Sequence, residues 1–271
     1  MNDHNFQYDT QISKFPTHIS NYEIVSTEIN FGSEGRIFKG IDPISNNYVA
    51  IKVLPDVYES YGQSIISSLM GDVFTQDIKM ESFRTFYITH PNIVRIINAG
   101  NDDYFGSYFV MEWISGGNLR DLICNNTNGI DSIKAITIVV NILQGLDVAH
   151  NSGIIHLDIK PENILLDENG MVKISDFGSS IGPENSLNFI DRGTLGYIAP
   201  ERMKNSSLLP KITSDIYSVG IILRELIQGE LTEYQNNIAE ELLEIINKST
   251  SNDPCCRYSS ASEMIQVLVN L

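Results

Sequence analysis

Two short segments near the middle of the chain combine the side chains that a phosphate group and a metal ion require. The first spans residues 156–163 and contains Asp158, Lys160 and Asn163, and the second is Asp176-Phe177-Gly178. Carboxylate and amide oxygens are hard ligands of the kind that Mg²⁺ prefers, and an ammonium group offsets phosphate charge. Two acids, a lysine and an asparagine in this order therefore predict phosphoryl-transfer chemistry.

A further lysine ends an otherwise apolar run, Val49-Ala50-Ile51-Lys52. A buried ammonium group is costly unless it has partners, so we expect Lys52 at a polar mouth that faces an anion and a carboxylate. The alternative is a lysine that is simply exposed at the end of a strand.

Strand patterns dominate the first part of the chain, and helical patterns dominate the rest. Alternating or β-branched runs predict five strands, at 22–29, 36–39, 48–54, 93–98 and 108–113. Helical periodicity predicts helices over 132–150, 214–228, 238–247 and 260–271, around a short apolar hairpin at 164–174. Strands first and helices after indicate two lobes instead of a doubly wound sheet.

A long interval separates the third strand from the fourth. Between Pro55 and His90 the apolar residues recur at three- and four-residue spacing, most clearly from Ile65 to Phe74. This pattern predicts a helical face that ends before His90-Pro91. The stripe Ile65–Phe74 either packs on its own lobe or docks a regulatory partner, and the residues alone leave both interpretations open.

Composition excludes several classes of protein. The chain has 271 residues, of which 42% are hydrophobic, so it is not an intrinsically disordered protein. Lys plus Arg number 18 against 34 Asp plus Glu, a net charge of −16. Nucleic-acid binding needs a cationic face, so we expect no nucleic-acid partner.

Cysteine usage and the absence of long apolar runs bear on the compartment. The three cysteines, Cys124, Cys255 and Cys256, are too few to form a disulfide framework in a domain of this size, which favours a reducing environment. No basic leader with an apolar run and no stretch of 18 apolar residues is visible, so no signal peptide or membrane span is expected. The polar residues 1–20 predict a flexible tail.

The motifs fall in a fixed order that resembles the eukaryotic-type serine/threonine protein kinase family. Besides the segments already described, the resemblance rests on Asn30-Phe-Gly32-Ser-Glu-Gly35, Val49-Ala-Ile-Lys52, Gly193-Thr194, Ala199-Pro200-Glu201, Asp215 and Asp253-Pro-Cys-Cys-Arg257. It covers about residues 22–271 and implies an α+β, two-lobed fold. The implied N-terminal lobe, about 21–112, has an antiparallel sheet with one regulatory helix, and the C-terminal lobe, about 115–271, is mostly helical.

The resemblance implies a role for each residue of the central segments. Asp158 resembles the base that accepts the proton of the substrate hydroxyl, and Lys160 would neutralise charge on the transferred group. Asn163 and Asp176 resemble the ligands of Mg²⁺. Lys52 would contact the ATP phosphates and pair with a helix glutamate, which the usual spacing before His90 places at Glu81.

The resemblance also implies how the nucleotide is held. A glycine-rich turn would cradle the phosphates, with Asn30 in place of its first glycine, and backbone groups of Glu112 and Ile114 would read adenine behind Met111. The implied nucleotide-binding residues are Ile29, Gly32, Gly35, Ile37, Ala50, Lys52, Met111, Glu112, Ile114 and Leu165. Glu201, Arg257 and Asp215 would be structural, with Glu201 paired to Arg257 and Asp215 anchoring the catalytic loop.

Three positions depart from the family pattern. Leu157 replaces the arginine that usually precedes the catalytic aspartate, so the chain resembles a non-RD variant with His-Leu-Asp and lacks the usual receiver of an activation-loop phosphate. Asn118 stands at a position where relatives that prefer basic substrates often have an acidic residue. Glu162 remains as an acidic residue that could recognise a basic substrate. Thr85 replaces an apolar packing residue four positions after Glu81.

The resulting interpretation is a protein kinase that transfers the γ-phosphoryl group of ATP to Ser or Thr of protein substrates, with Mg²⁺ or alternatively Mn²⁺ as the metal. The main alternative is a pseudokinase-like scaffold that binds nucleotide. A small-molecule kinase is a third, against which Thr194 and Ala199-Pro200-Glu201 argue. We expect a cytoplasmic protein, and export into another cell stays open.

Overall fold

An antiparallel sheet forms the N-terminal lobe of the computed structural model. The structure describes residues 17–32, 35–54, 88–177, 180, 194–203, 210–229 and 238–271. Its strands are β1 His18–Ile19, β2 Tyr22–Gly32, β3 Gly35–Ile41, β4 Tyr48–Val53, β5 Ile96–Asp102 and β6 Gly106–Glu112. Their order across the sheet is β1-β2-β3-β4-β6-β5. The predicted helix with Glu81 and the stripe 65–74 lies outside the described residues.

Alternation along the strands places the lobe's core on one face of the sheet. Val49, Ile51 and Val53 of β4 are buried, whereas Ala50 and Lys52 point to the opposite face. Among the described residues, the buried core of this lobe contains Ile19, Tyr22, Phe38, Val49, Ile51, Val53, Tyr108 and Val110.

Most strand ends differ from the predictions by one to four residues, and two differences at the beginning of a strand have a clear physical reason. His18–Ile19, expected in the flexible tail, forms β1, because Ile19 is fully buried in the core and the pair hydrogen-bonds with β2. The strand expected at 93–98 begins at Ile96. Ile93 and Val94 are buried, and the backbone on either side of Ile93 bonds to the other lobe, since Val94 N donates to Ile174 O at 2.9 Å and Ile174 N donates to Asn92 O at 2.8 Å.

The C-terminal lobe is mostly helical, as the resemblance implies. Its helices are α1 Leu119–Cys124, α2 Ser132–Asn151, α3 Pro200–Met203, α4 Ile212–Gln228, α5 Glu240–Ser249 and α6 Ala261–Leu268. A two-stranded hairpin, β7 Ile164–Leu166 and β8 Val172–Ile174, lies among them. Short 3₁₀ turns are formed by Pro161–Asn163 and Pro254–Cys256. The predicted helices are confirmed with small shifts of their ends, and α1 and α3 were not predicted.

Helix α2 forms the centre of this lobe. The side chain of Asp131 accepts hydrogen bonds from the backbone N–H groups of Ile133 and Lys134 and so caps its first turn. Among the described residues it is the single helix long and apolar enough to cross a membrane, but eight of its residues are buried, and it packs against α4, α6 and β8. Its apolar character is therefore that of a core helix.

The chain passes between the lobes through residues 113–118. Gly116 lies so close to the hairpin that an added Cβ would stand 2.5 Å from the carbonyl oxygen of Asp167. Gly116 N donates to Leu166 O, and Leu166 N donates to Gly117 O, each at 2.9 Å. These bonds fix the connection between the lobes to the β7–β8 hairpin, next to the predicted catalytic segments.

Candidate active site

One face of the N-terminal sheet carries several of the residues predicted to bind nucleotide. Cross-strand partners share a face, and the register pairs Ile37 with Lys52 and Ala50 with Met111. These four side chains therefore face the same side of the sheet. Gly32 at the end of β2 is paired with Gly35 at the start of β3. Ile29 belongs to β2, and its side chain lies outside the described residues.

Lys52 lies at the boundary between the sheet and the central segments. It is 9% exposed, and its Nζ is 2.6 Å from Oδ1 of Asp176. The alternative of a lysine simply exposed at a strand end is therefore wrong. Asp176 is the carboxylate that the described residues bring to Lys52. The predicted partner Glu81 lies outside the described residues.

Asp158, Lys160 and Thr194 form a triangle of polar contacts. Lys160 Nζ is 2.7 Å from Asp158 Oδ2 and donates to Thr194 Oγ1 at 2.9 Å. Thr194 Oγ1 in turn lies 3.4 Å from Asp158 Oδ1. Asp158 is buried, so its carboxylate is held in one orientation by a cation and a hydroxyl group. An acid held in this way suits a role in orienting a hydroxyl nucleophile.

The β7–β8 hairpin brings the two predicted metal ligands to the same end. Asn163 immediately precedes β7 and Asp176 follows β8 by two residues, and Ile164 pairs with Ile174. Ser175 N donates to Asn163 O at 2.8 Å, which joins the two ends. The Asn163 amide donates to Asp158 Oδ2 at 3.0 Å, so its amide oxygen remains as an acceptor. An amide oxygen and a carboxylate fit a hard divalent cation such as Mg²⁺.

The backbone of the catalytic loop, residues 156–163, is held in an uncommon conformation. Leu157 has a φ of 67°, in the left-handed region that a residue with a Cβ rarely adopts. Asp215, which is fully buried, accepts hydrogen bonds from His156 N at 2.9 Å and Leu157 N at 2.8 Å. Arg202 Nη1 donates to the carbonyl oxygen of Leu157 at 2.5 Å. These contacts fix Leu157 from both of its peptide groups.

Two histidines complete the support of the loop. His150 donates from Nε2 to Asp215 at 2.8 Å. Burial opposes ionisation of Asp215, but the bond and charge of His150 and the amide of Leu157 hold the pKa of Asp215 below its ordinary value. His156 Nε2 donates to Ser175 O at 3.0 Å, and complete burial lowers the pKa of His156. The predicted anchoring role of Asp215 is thus visible as hydrogen bonds.

The predicted pair of Glu201 and Arg257 is present. Arg257 donates to both carboxylate oxygens of Glu201, at 2.8 and 2.6 Å, and Ser214 donates to Oε1 at 2.9 Å. Although burial opposes it, the bond with Arg257 holds the pKa of Glu201 below its ordinary value. This pair fixes α3 to α4 and to the turn at Pro254–Cys256, so its role is structural.

Arg120 on α1 connects the catalytic loop with α4 through two carboxylates, Glu162 and Glu225. Its Nε donates to Glu162 at 2.8 Å, and its guanidinium also binds Glu225 and Tyr197. Burial and the Glu225 carboxylate raise the pKa of Tyr197, so that its hydroxyl stays protonated and donates. Glu162, the remaining acidic candidate for recognising basic substrates, is therefore already bound within the chain.

Sequence reasoning missed Arg202, Arg120 and Lys173. Each is a cation in or beside an apolar stretch, and burial of an ammonium or guanidinium group implies a partner. That signal identifies the residue but not its partner, because the partner is distant in the sequence. Leu157 lies 45 residues from Arg202, and Glu225 lies 105 residues from Arg120.

Comparison with known proteins supports the geometry. Residues 24–271 match the protein kinase domain family. A probable serine/threonine-protein kinase PknB of Lactococcus lactis is 32% identical over 270 residues, which are 90% of this chain and 41% of the relative. The serine/threonine-protein kinase PrkC of Bacillus subtilis is 29% identical over 272 residues, 90% of this chain and 39% of the relative. The chain spans about two fifths of the length of these relatives.

Proposed function

The chain belongs to the protein kinase domain family, and we propose that it is an active serine/threonine kinase of the non-RD type. In this proposal the γ-phosphoryl group of ATP passes to a Ser or Thr hydroxyl of a protein substrate. The observation that carries it is the triangle of Asp158, Lys160 and Thr194 beside the two oxygen ligands Asn163 and Asp176. None of the contacts within this triangle involves residue 157, the position at which the family usually has an arginine.

Asp158 acts on the acceptor. Its carboxylate accepts the proton of the incoming hydroxyl group, while the 2.7 Å contact with Lys160 keeps it oriented. Lys160 also faces the charge that develops on the transferred group. Thr194 holds both side chains from the segment that precedes Ala199-Pro200-Glu201.

Asn163 and Asp176 would hold Mg²⁺, or Mn²⁺ in its place. A bound divalent cation would neutralise the charge on the ATP phosphates. Lys52 lies 2.6 Å from Asp176, so its ammonium group is placed to bind phosphate oxygens at the same point. The hairpin contact between Ser175 and Asn163 keeps these donors together before any nucleotide arrives.

The adenine would lie between the N-terminal sheet and the hairpin. Ile37, Ala50 and Leu165 supply apolar surface, and Met111 is paired with Ala50 in the sheet. Backbone groups of Glu112 and Ile114 would form the hydrogen bonds to the base. Apolar walls with a few polar groups are the usual form of a nucleotide pocket.

The compartment and a partner belong to the same proposal. The chain has three cysteines, Cys124, Cys255 and Cys256, which are too few to form a disulfide framework in a domain of this size, and this supports a reducing compartment such as a cytoplasm. A regulatory partner at residues 65–74 rests on the sequence pattern alone. Its test is loss of binding when apolar residues of that stripe are replaced.

The decisive experiment measures transfer and binding separately. Wild-type chain, Lys52→Met, Asp176→Asn and Asp158→Asn would each receive radiolabelled ATP with a generic protein substrate, and ATP binding would be measured by calorimetry. We expect the first two variants to lose transfer, and Asp158→Asn to lose transfer but keep binding. Asp103→Asn, an exposed carboxylate far from the triangle, is the control. Binding without transfer in the wild type would instead show a pseudokinase-like scaffold.

A further inference from the structure

Two neighbouring side chains of the segment that joins the lobes are anchored in opposite directions. We define the hinge as residues 112–114. Glu112 is tied to the C-terminal lobe through Lys173, and Trp113 is tied to the N-terminal sheet through Lys39. We propose that Lys173 and Lys39 are positioning residues that fix the hinge backbone for recognition of the nucleotide base. The proposal deepens the proposed function and rests on it.

The anchor on Glu112 is an ion pair combined with a backbone hydrogen bond. Glu112 Oε1 lies 2.8 Å from Lys173 Nζ and accepts from the backbone N–H of Arg95, also at 2.8 Å. In return, Glu112 N donates to Arg95 O at 3.0 Å. The side chains of Lys173 and Glu112 are only 14% and 24% exposed, so the pair is partly shielded from water. Removing one partner leaves the other charge without its counterion.

The anchor on Trp113 is a cation held between two aromatic rings. Lys39 Nζ lies 3.9 Å from the centre of the Tyr48 ring and 4.7 Å from that of Trp113. Both distances are within the range of a favourable cation–π contact. Lys39 pairs with Ala50, so it lies on the face of the sheet that carries the predicted nucleotide contacts. This lysine therefore joins the hinge to that face directly.

The hinge depends on these anchors because strand pairing stops there. Strand β6 ends at Glu112, and residues 113–115 belong to no helix or strand. Residues 113–115 thus have no strand partner that fixes their backbone, whereas the side chains of Glu112 and Trp113 are anchored to the two lobes. Lys173 also lies on β8, three residues before Asp176, so one anchor connects the base-binding segment with a proposed metal ligand.

The chemistry of the bases gives the proposal a specific consequence. Adenine presents an amino donor where guanine presents a carbonyl acceptor. A carbonyl oxygen of Glu112 and an N–H of Ile114 at fixed positions accept one pattern and reject the other. A hinge released from its anchors loses affinity for ATP and also loses part of its discrimination against GTP.

The chain contains a matched control pair far from the hinge. Lys248 on α5 lies 3.0 Å from Glu263 and 4.0 Å from the centre of the Tyr258 ring. It therefore combines an ion pair and a cation–π contact, as Lys173 and Lys39 do between them. Lys248→Met removes the same types of contact with no connection to the hinge.

The experiment compares Lys173→Met, Lys39→Met, Glu112→Gln and Lys248→Met in the full chain. Titration calorimetry gives Kd for ATP and for GTP. Trp113 is the chain's single tryptophan, so its fluorescence reports changes at the hinge. Glu112→Gln keeps the acceptor for Arg95 N and removes only the charge, which guards against a folding failure of Lys173→Met. The exchanged pair Glu112→Lys with Lys173→Glu tests rescue.

We expect Lys173→Met, Lys39→Met and Glu112→Gln each to raise Kd and KM for ATP about tenfold. The preference for ATP over GTP, measured as the ratio of the two Kd values, should become smaller. The value of kcat at saturating ATP should stay nearly unchanged. The exchanged pair should recover part of the affinity, and Lys248→Met should change neither constant. Unchanged affinity in Lys173→Met and Lys39→Met, or an equal loss in Lys248→Met, would overturn the proposal. Binding is read without transfer, so an inactive wild type would refute the proposed function and leave this test valid.

Discussion

The catalytic loop and the hinge are both short irregular segments, but the chain fixes them by different means. The loop, residues 156–163, is bound through its backbone to Asp215, which is fully buried. The hinge is bound through long charged side chains that retain some contact with water. Buried hydrogen bonds to a carboxylate are strong and insensitive to salt, whereas partly exposed ion pairs are screened.

This difference matches what each segment has to do. The loop positions reacting atoms, where a small misplacement is costly in rate. Under the proposed function the hinge would admit and release a nucleotide in every cycle, so anchors that can adjust are suited to it. Changes in the loop should therefore reduce kcat at any salt concentration, and changes in the hinge should act on KM and weaken as salt rises.

The largest effect should follow from Asp215→Asn. Both carboxylate oxygens of Asp215 accept hydrogen bonds, from the N–H groups of His156 and Leu157 and from His150. The asparagine side chain replaces one of these oxygens with an NH₂ group, which then faces one of the same donors. We expect a loss of about 3–5 kcal/mol of unfolding free energy and the loss of transfer. Thermal unfolding and transfer assays at low and high salt would measure both. A loss that disappears at high salt would remove the distinction between loop and hinge.

Thr194→Ala should have the next largest effect. It removes the hydroxyl group that accepts from Lys160 at 2.9 Å and lies 3.4 Å from Asp158. Hydrogen bonds to charged groups are worth about 1.5–3 kcal/mol, which corresponds to a fall in kcat of roughly ten- to a hundredfold. Thr194→Ser keeps the hydroxyl group and serves as the matched control. If both variants lose kcat equally, the hydroxyl group is not what orients Asp158.

The sequence predicts the loop better than the hinge, and the reason is physical. Asp158, Asn163 and Asp176 are identified by local spacing, because they lie within one turn and one hairpin. The anchors of the hinge join Glu112 to Lys173, 61 residues apart, and no periodic pattern marks such a pair. The same applies to β1, whose two residues are too few to show alternation.

The support of Leu157 within the catalytic loop is tested by changes at Arg202. Its guanidinium donates to Leu157 O at 2.5 Å from α3, although Leu157 stands where the family usually has arginine. We expect Arg202→Met to lower kcat about tenfold, since Leu157 then loses a charged donor that supports its positive φ.

Arg202→Lys is the comparison for Arg202→Met, because lysine keeps the positive charge but lacks the planar guanidinium group. Arg202→Lys should recover part of kcat, and KM for ATP should stay unchanged in both variants. A rise in KM without a change in kcat would place Arg202 with the hinge instead of the loop.

The smallest effect concerns pH and His156. Its Nε2 donates to Ser175 O at 3.0 Å, and its Nδ1 accepts from Asp158 N at 3.3 Å, so the buried ring is neutral with both nitrogens in use. Burial lowers the pKa of His156 in the folded chain, whereas in the unfolded chain a histidine titrates near 6.5. As the pH falls below about 6.5, the unfolded state takes up a proton that the folded state refuses, and stability falls.

From pH 7.5 to 5.5 this uptake amounts to at most about 1.4 kcal/mol of unfolding free energy for one group. His156→Gln keeps a donor and an acceptor but does not titrate, so its unfolding free energy should change less over that interval. Denaturant unfolding at several pH values measures the slope, with His18→Gln, an exposed histidine, as the control. Equal slopes in wild type and His156→Gln would mean that the ring is not held neutral. The hydrogen bond that its Nδ1 accepts from Asp158 N would then not hold the loop as described.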